Sequence, residues 1–175
     1  MKIETERLII RSIKRGDEKI FADMAKDGSL AHDIGFDEKC EEWLGDWIED
    51  ALIFSKEDNP RKNSIAEVIC LKENGAIVGS VGNTYYEDTD EIGIVYFIGA
   101  DYRGHGYAYE AAKEYIDYMF RHYDIEKLGS RVREANVPSW KIHDKLGFQL
   151  IESKMYQDYN DEAPELYRFY LFRKE

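Results

Sequence analysis

Hydrophobic and polar positions along the chain follow two periods, and together they predict a mixed α/β fold. Leu8 and Ile10 share one face of an alternating segment, the period of two that is typical of a strand. In residues 40–52 and 108–120, apolar side chains recur every three or four positions, which is the spacing of one helical face. The patterns predict strands at 5–13, 64–71, 76–87, 91–99, 128–133, 148–156 and 165–173, and helices at 17–26, 37–58, 108–120 and 136–147.

These elements are expected to form one domain over residues 1–175. We expect an α/β (α+β) architecture with a mixed, mostly antiparallel sheet of six or seven strands, flanked by about four helices. The Asn74-Gly75 pair between two predicted strands is a strong signal for a β-hairpin. The 175-residue length and 43% hydrophobic content suffice for one core.

The stretch 101–112 is the strongest candidate for a binding site. It follows an apolar strand, opens an amphipathic helix and contains Gly104 and Gly106. Glycines let the backbone turn sharply and approach a ligand closely. The first N–H groups of a helix are unpaired and lie at the positive end of its dipole, so such a corner binds anions, phosphate above all. The alternative is an ordinary strand-to-helix turn that binds nothing.

Two common nucleotide-binding motifs do not fit this stretch. The dinucleotide-binding fingerprint needs Gly or Ala three residues after its second glycine, where this chain has Tyr109. The Gly-Lys-Ser/Thr sequence of a P-loop is absent from the chain.

The stretch resembles the acyl-CoA loop of the GNAT superfamily of N-acetyltransferases, Gln/Arg-x-x-Gly-x-Gly/Ala, with Asp101 at the first position. Two further segments are similar to the ribosomal-protein-type (RimJ/RimL-like) branch of that superfamily. Thr5-Glu6-Arg7-Leu8-Ile9-Ile10-Arg11 resembles its first strand, and Asn136-x-x-Ser139 followed by Lys145-Leu146-Gly147-Phe148 resembles its second cofactor segment. The resemblance implies a GNAT fold, acetyl-CoA as co-substrate and a primary amine as acceptor.

The same resemblance implies where acetyl-CoA would bind. Its diphosphate would receive main-chain N–H groups of the glycine loop, with the Arg103 and His105 side chains as supplements. Asn136 would hydrogen-bond the cofactor arm, or else cap a helix. An N–H of the central strand would stabilise charge on the thioester oxygen. The predicted cofactor contacts are Phe97, Ile98, Arg103, Gly104, His105, Gly106, Tyr107, Ala108, Asn136 and Ser139.

Three residues are candidates for proton transfer. Glu91, at the head of the central strand, is the candidate base for the amine, or else an exposed hairpin acid. An imidazole ordinarily titrates near neutrality, and His143 stands where many family members place a tyrosine acid, whereas Ser139 matches the serine that the ribosomal-protein-type branch uses near the thiol. The alternative for His143 is an ordinary core or surface residue.

Composition and charge narrow the possible partners. The net charge of −12 lies outside residues 101–148, which hold eight Lys/Arg and eight Asp/Glu. Nucleic acid is therefore not expected as a partner. Residues 37–58 carry nine acids and two lysines, which form either a solvated helix face or a rim that attracts a cationic amine.

Other features suggest a cytoplasmic protein. The longest apolar run is about nine residues, against the roughly 20 that a membrane helix needs. Cys40 and Cys70 are expected to be reduced and buried, and no metal is expected, because the four histidines show no ligand spacing with them. The protein could be a monomer or a homodimer.

The predicted function is acetyl transfer from acetyl-CoA to a primary amine, either a protein N-terminus or a cationic small molecule, by direct attack on the thioester. The alternative is a non-catalytic acyl-CoA-binding or sensor domain.

Overall fold

A computed structural model describes residues 1–174 of the chain. Over that range the chain forms eight strands and five α-helices, with two short 3₁₀ turns at Cys40–Glu42 and Ala100–Tyr102. In chain order the elements are β1 (Lys2–Glu4), β2 (Leu8–Ser12), α1 (Asp17–Ala25), α2 (Ala31–Ile34), α3 (Leu44–Glu57), β3 (Ile65–Leu71), β4 (Ile77–Tyr86), β5 (Glu91–Ile98), α4 (Tyr107–His122), β6 (Lys127–Arg133), α5 (Val137–Leu146), β7 (Gln149–Tyr156) and β8 (Glu165–Arg173).

The strands form one sheet in the order β1-β2-β3-β4-β5-β6-β8-β7. Neighbouring strands are antiparallel except β5 and β6, which are parallel and pair at Gly93 and Gly129. The predicted mixed, mostly antiparallel sheet is confirmed. It has eight strands in the described residues, instead of six or seven, because the unpredicted strand β1 precedes the segment predicted at 5–13, in which only β2 forms.

A tight turn at residues 5–8 separates β1 from β2. The Thr5 N–H donates to Leu8 O at 3.0 Å, and the Leu8 N–H donates to the Thr5 hydroxyl at 2.9 Å. The local hydroxyl competes with the strand ladder for these backbone groups, as Ser and Thr commonly do. The chain therefore folds back, and Ile3 of β1 pairs with Ile10 of β2.

The sheet separates two hydrophobic cores. Strand alternation sends Ile69 toward α4 and α5, and Val68 toward α1 and α3 on the opposite face. Of the residues predicted for the buried side of α4, Ala108 is only partly buried, and six are buried: Ala111, Ala112, Tyr115, Ile116, Met119 and Phe120. The two helical layers explain why neither face of β3 is polar along its length.

Two helix starts differ from the predictions. The segment predicted as a helix from Asp37 begins with a 3₁₀ turn, α3 begins at Leu44, and Trp43 is 37% exposed. Asp17 is the first residue of α1 and not its cap, because its carboxylate accepts two bonds of 2.8 Å from the Arg11 guanidinium. A buried ion pair thus replaces the expected cap.

The junction between β5 and β6 is covered by side chains. A Cβ at Gly93 would overlap the Tyr86 ring, so glycine lets this ring lie across the two strands. The Arg131 guanidinium lies 3.9 Å from the centroid of the same ring. Among the helices of residues 1–174, none is both long and apolar enough to cross a membrane.

Candidate active site

A cavity of about 90 Å³ lies between β5 and β6, beyond the point where they pair. Residues 94–96 of β5 and 130–133 of β6 line it, together with Asn136, Ser139 and His143. Its volume is that of roughly three liquid waters, so it can hold reacting groups but not a whole substrate.

The glycine loop joins α4 to β5, the strand whose residues 94–96 line this cavity. Gly104 and Gly106 have φ values of 79° and 81°, a left-handed conformation that favours glycine. Gly106 is the N-cap of α4, and its carbonyl accepts from Glu110 N–H at 3.1 Å. The N–H groups of Tyr107 and Ala108 precede the first helical hydrogen bond, so the helix does not use them.

Arg103 and His105 have local partners in this loop. The Arg103 N–H donates to Ala100 O at 3.3 Å, and its guanidinium donates to Ile98 O and to the Ser29 hydroxyl, both at 2.9 Å. The His105 Nδ1 lies 3.1 Å from Tyr102 O. The N–H and guanidinium of Arg103, which we expected to contact the cofactor, therefore form hydrogen bonds within the protein that stabilise the loop.

Strand geometry distinguishes the two predicted donors of β5. The Gly99 N–H donates to Val78 O of the neighbouring chain segment at 2.9 Å, and backbone groups alternate sides along a strand. The Phe97 N–H therefore points toward β4. The Ile98 backbone points the other way, as its carbonyl bond with Arg103 also indicates. Of this pair, Ile98 has its N–H on the side where β5 and β6 diverge.

Asn136 caps α5. Its Oδ1 accepts from the Ser139 N–H at 3.3 Å, and its Nδ2 donates to Asp33 Oδ2 at 2.9 Å. Asn136 thus takes the helix-cap position that we gave as the alternative. Both the oxygen and the nitrogen of its side-chain amide have hydrogen-bond partners.

Ser139 and His143 face Tyr96 across the cavity. The Tyr96 hydroxyl lies 3.4 Å from Ser139 Oγ, 3.3 Å from Ser139 O and 3.2 Å from His143 Nδ1. The Nδ1 also lies 2.9 Å from Ser139 O. Since a carbonyl can only accept, this bond places the proton on Nδ1.

His143 is 2% exposed and lies between the Tyr96 and Tyr170 rings. Burial lowers the pKa of His143, and burial raises the pKa of Tyr96, because a low-dielectric environment disfavours the charged form of each. The Nε2 of His143 has no hydrogen-bond partner in residues 1–174. At neutral pH the pair is therefore an uncharged imidazole and an intact phenol.

Glu91 lies at the opposite end of β5 from the glycine loop. Its Oε1 accepts from Lys127 Nζ at 2.8 Å, and its Oε2 lies beside Gly129. The structure thus brings Ser139 and His143 together at the cavity and places Glu91 in an ion pair at the strand junction.

The far wall of the cavity is built around Arg133. Its guanidinium donates to Asp33 at 2.6 Å and to the buried Asp161, and its Nε lies 3.5 Å from Glu165. His32, Asp161 and Glu165 bring potential metal ligands within 4.8 Å of one another. Arg133 already supplies positive charge to two of them.

Comparison with known proteins identifies the family. Residues 7–149 match the family model described as an acetyltransferase (GNAT) domain. The chain therefore belongs to the GNAT acetyltransferases, which use acetyl-CoA as the acyl donor.

Two relatives carry matching names. The chain is 30% identical over 105 residues to the uncharacterised N-acetyltransferase p20 of Bacillus licheniformis, a match that spans 59% of this chain and 58% of that protein. It is 26% identical over 157 residues to the uncharacterised N-acetyltransferase YnaD of Bacillus subtilis, with 85% and 83% of the two chains covered. The protein is accordingly an N-acetyltransferase.

Solved structures share the fold. RimL, a ribosomal L7/L12 α-N-protein acetyltransferase in complex with coenzyme A, aligns with a TM-score of 0.83 at 12% identity, covering 99% of this chain and 98% of that one. This similarity confirms the GNAT fold.

Sequence reasoning missed Tyr96 and Asp158. Tyr96 follows Ile94 on the buried face of β5, so its polar tip within an apolar strand was an available signal. Asp158 follows β7 and lines the cavity. It lies more than 60 positions after Tyr96 in the sequence. Nothing local in the sequence around it marks a site.

Proposed function

We propose that this chain moves the acetyl group of acetyl-CoA to a primary amine by direct attack of the amine on the thioester. The observation that supports this most is the cluster of Tyr96, Ser139 and His143, which lies at a cavity on the strand that leads into the glycine loop. Cys40 and Cys70 are buried in the core on the α1 and α3 side, so the proposal includes no acetyl-cysteine intermediate.

The glycine loop is suited to the diphosphate of acetyl-CoA. Both glycines are left-handed, and a Cβ at Gly104 would meet no atom of the described chain within 4 Å. Backbone N–H groups at the N-terminus of α4 supply donors, and the helix dipole favours the anion. Bound acetyl-CoA supplies the thioester. The main chain of the loop would hold the diphosphate, and the Ile98 N–H would polarise the thioester carbonyl.

Asp158 is the candidate that would accept the proton of the acceptor amine. It lines the same cavity as Ser139. Whereas Asp33 is neutralised by Arg133, the Asp158 carboxylate accepts from the backbone N–H of Tyr159 at 2.8 Å. A carboxylate with a free lone pair can take a proton directly or through one water.

Ser139 and Tyr96 are the candidate donors to the departing thiolate. Their hydroxyls lie 3.4 Å apart, so the one that gives its proton to the thiolate can take a proton from the other. Solvent then returns a proton to the second hydroxyl and removes the amine's proton from Asp158. His143 holds this pair in place while it remains neutral. Its role is to orient, because burial works against the imidazolium form.

Proton cost favours an N-terminal α-amine as acceptor. Neutralising an amine of pKa near 8 at pH 7 costs about 1.4 kcal/mol, against about 4.6 kcal/mol for a lysine amine. One weak carboxylate base suffices for the first. The solved neighbour that acts on L7/L12 is an α-N-protein acetyltransferase, which agrees with this choice.

An amine panel tests the proposal. The protein is incubated with acetyl-CoA and, separately, a peptide with a free N-terminus, the same peptide blocked at its N-terminus but containing lysine, spermidine, and an aminoglycoside. We expect free thiol to appear fastest with the free N-terminus. Faster release with spermidine or the aminoglycoside would make the acceptor a small cation. Binding of coenzyme A without thiol release from any amine would contradict acetyl transfer.

A further inference from the structure

One carboxylate ties the glycine loop to the turn between β1 and β2. Glu110 lies in the first turn of α4, just after the loop. Its Oε1 accepts from the Thr5 hydroxyl at 2.5 Å and from the Arg7 N–H at 2.8 Å. Its Oε2 accepts from Arg7 Nε at 2.7 Å and lies 2.7 Å from Arg7 Nη2. Both oxygens thus serve a contact that spans more than 100 positions of sequence.

Arg7 reaches the loop itself. Its Nη1 donates to the carbonyl of His105, the residue between the two glycines, at 2.8 Å. The guanidinium lies 4.8 Å from the centroid of the Tyr107 ring, which stacks on the His105 ring at 5.4 Å. One arginine therefore fixes the middle peptide of the loop and the first side chain of the helix.

The loop needs such support because its glycines lose more conformational freedom on ordering than other residues. If the loop were mobile in the free protein, the conformational entropy lost on ordering it would weaken ligand binding. A loop that is already ordered avoids this loss of affinity. Glu110 would also repel an anion at the helix start if it stood alone. Arg7 cancels that charge and keeps the N-terminus favourable for a phosphate.

The ionised state of Glu110 is stable at neutral pH. Burial raises the pKa of Glu110, but the bonds from Thr5 and Arg7 outweigh it, and the net pKa lies below the usual value.

We propose that Glu110 and Arg7 are positioning residues that hold the glycine loop in its binding conformation, with Thr5 as a third member of the contact. The inference rests on the proposed function, because it requires the loop to be the acetyl-CoA site. It assigns a task to Thr5 and Arg7 of the first segment and to Glu110 of α4, whose side chains lie outside the cavity.

The test compares Glu110→Gln with a matched control. Arg15 and Glu49 form a similar two-point pair, with distances of 2.6 and 2.7 Å, on the surface of α3, and Glu49→Gln removes the same charge there. We expect Glu110→Gln to raise the calorimetric Kd for coenzyme A and the KM for acetyl-CoA at least tenfold, with kcat at saturating acetyl-CoA within twofold of wild type. Glu49→Gln should leave all three unchanged.

Hydrogen exchange of the free protein separates positioning from a general loss of structure. In Glu110→Gln, the two hydrogen-bonded amides that flank the glycines, the Arg103 N–H on Ala100 O and the residue-110 N–H on Gly106 O, should exchange at least tenfold faster, while amides of α3 keep their rates. If Glu110→Gln proves poorly folded, Arg7→Gln, which leaves the carboxylate and its Thr5 bond, should show the same pattern in both measurements.

The possible failures are distinguishable. A wild-type protein that binds no coenzyme A contradicts the proposed function. A wild type that binds coenzyme A, together with Glu110→Gln and Arg7→Gln variants whose Kd and loop exchange stay within twofold of wild type, contradicts the positioning role alone.

Discussion

The two ends of the site are built in different ways. On the cofactor side, backbone groups of one continuous segment, residues 103–108, form the candidate binding surface, and side chains such as Arg103 hold it from behind. On the side that we propose for the acceptor, the wall is assembled from side chains of α2, β6 and the segment after β7, centred on Arg133. The first surface depends on conformation, and the second depends on which side chains meet.

The difference indicates how each end responds to mutation. A main-chain surface tolerates most side-chain changes and fails when the backbone conformation is lost. A side-chain surface changes its selectivity with single substitutions. Variants on each side should therefore affect different kinetic constants, and this separation is open to measurement.

The largest effect should come from Gly106→Val. A branched residue at φ 81° is strained, and its Cβ would lie 3.4 Å from Nη2 of Arg7, the residue that holds the loop. We expect the Kd for coenzyme A, measured by calorimetry, to rise at least about 100-fold, equivalent to roughly 2.8 kcal/mol.

Gly75→Val provides the control, because Gly75 has a similar φ of 74° in the β3–β4 turn. It should cost stability but leave the affinity for coenzyme A intact. Equal loss of affinity in both variants would mean that strain, not the loop surface, is responsible.

Proton delivery lies between the two sides and should change kcat alone. If Ser139 or Tyr96 donates to the thiolate, Ser139→Ala or Tyr96→Phe should lower kcat by about 10²-fold, with an unchanged Kd for coenzyme A. Steady-state kinetics of the two variants and of His143→Ala would identify the donor. Full activity in all three would leave proton delivery to solvent.

A third variant tests stability separately from both ends. Glu67 of β3 is 3% exposed, and burial raises its pKa from 4.5 to about 7, against the lowering effects of the N-terminal amine, Ser12 and Arg11. The folded state then binds its proton more tightly than the unfolded state. The stability that this group contributes is present below pH 4.5 and is lost as pH rises through about 7.

Glu67→Gln should remove this dependence. Urea unfolding at pH 8 should show a gain of roughly 3 kcal/mol over wild type, and little difference near pH 4.5. The exposed Glu73→Gln serves as the control. A pH profile of unfolding that is the same in Glu67→Gln and wild type would contradict a buried, proton-binding Glu67.

The smallest effect should be that of Asp158→Asn on the acceptor side. We expect kcat/KM for the amine to fall about tenfold through loss of the base, while the Kd for coenzyme A stays constant. The deficit should shrink at high pH, where more of the amine is already neutral. A parallel loss of affinity for coenzyme A would contradict the separation of the two ends.

Much of the fold could be predicted from the sequence because periodicity reports burial directly. The helix from Tyr107 and the hairpin at Asn74-Gly75 have the predicted form. The strand β1 and the turn at residues 5–8 could not be predicted in this way, since the turn depends on one hydroxyl that competes with the ladder. The alternation of Leu8 and Ile10 lies wholly within β2 and does not report the turn before it.

Some parts of the candidate site could be predicted from the sequence, and others could not. Gly104 and Gly106 stand out because a left-handed backbone restricts residue type, so conformation leaves a trace in the sequence. Asp158 leaves none, because its place at the cavity follows from the packing of distant strands. The position of Glu91 at the head of β5 is readable from the sequence, but which end of a strand meets the cavity is a property of the whole sheet.

The stack of Arg131 on Tyr86 across Gly93 and Gly129 has a consequence for how this architecture can change. Most neighbouring strands of the sheet are joined by a continuous ladder of backbone hydrogen bonds. The half that ends at β5 and the half that begins at β6 pair at one position, and side chains pack across that junction. Replacing the Tyr86 ring or the Arg131 guanidinium should therefore loosen the contact between the two halves of the sheet at this point, because one pair of residues joins the two strands there.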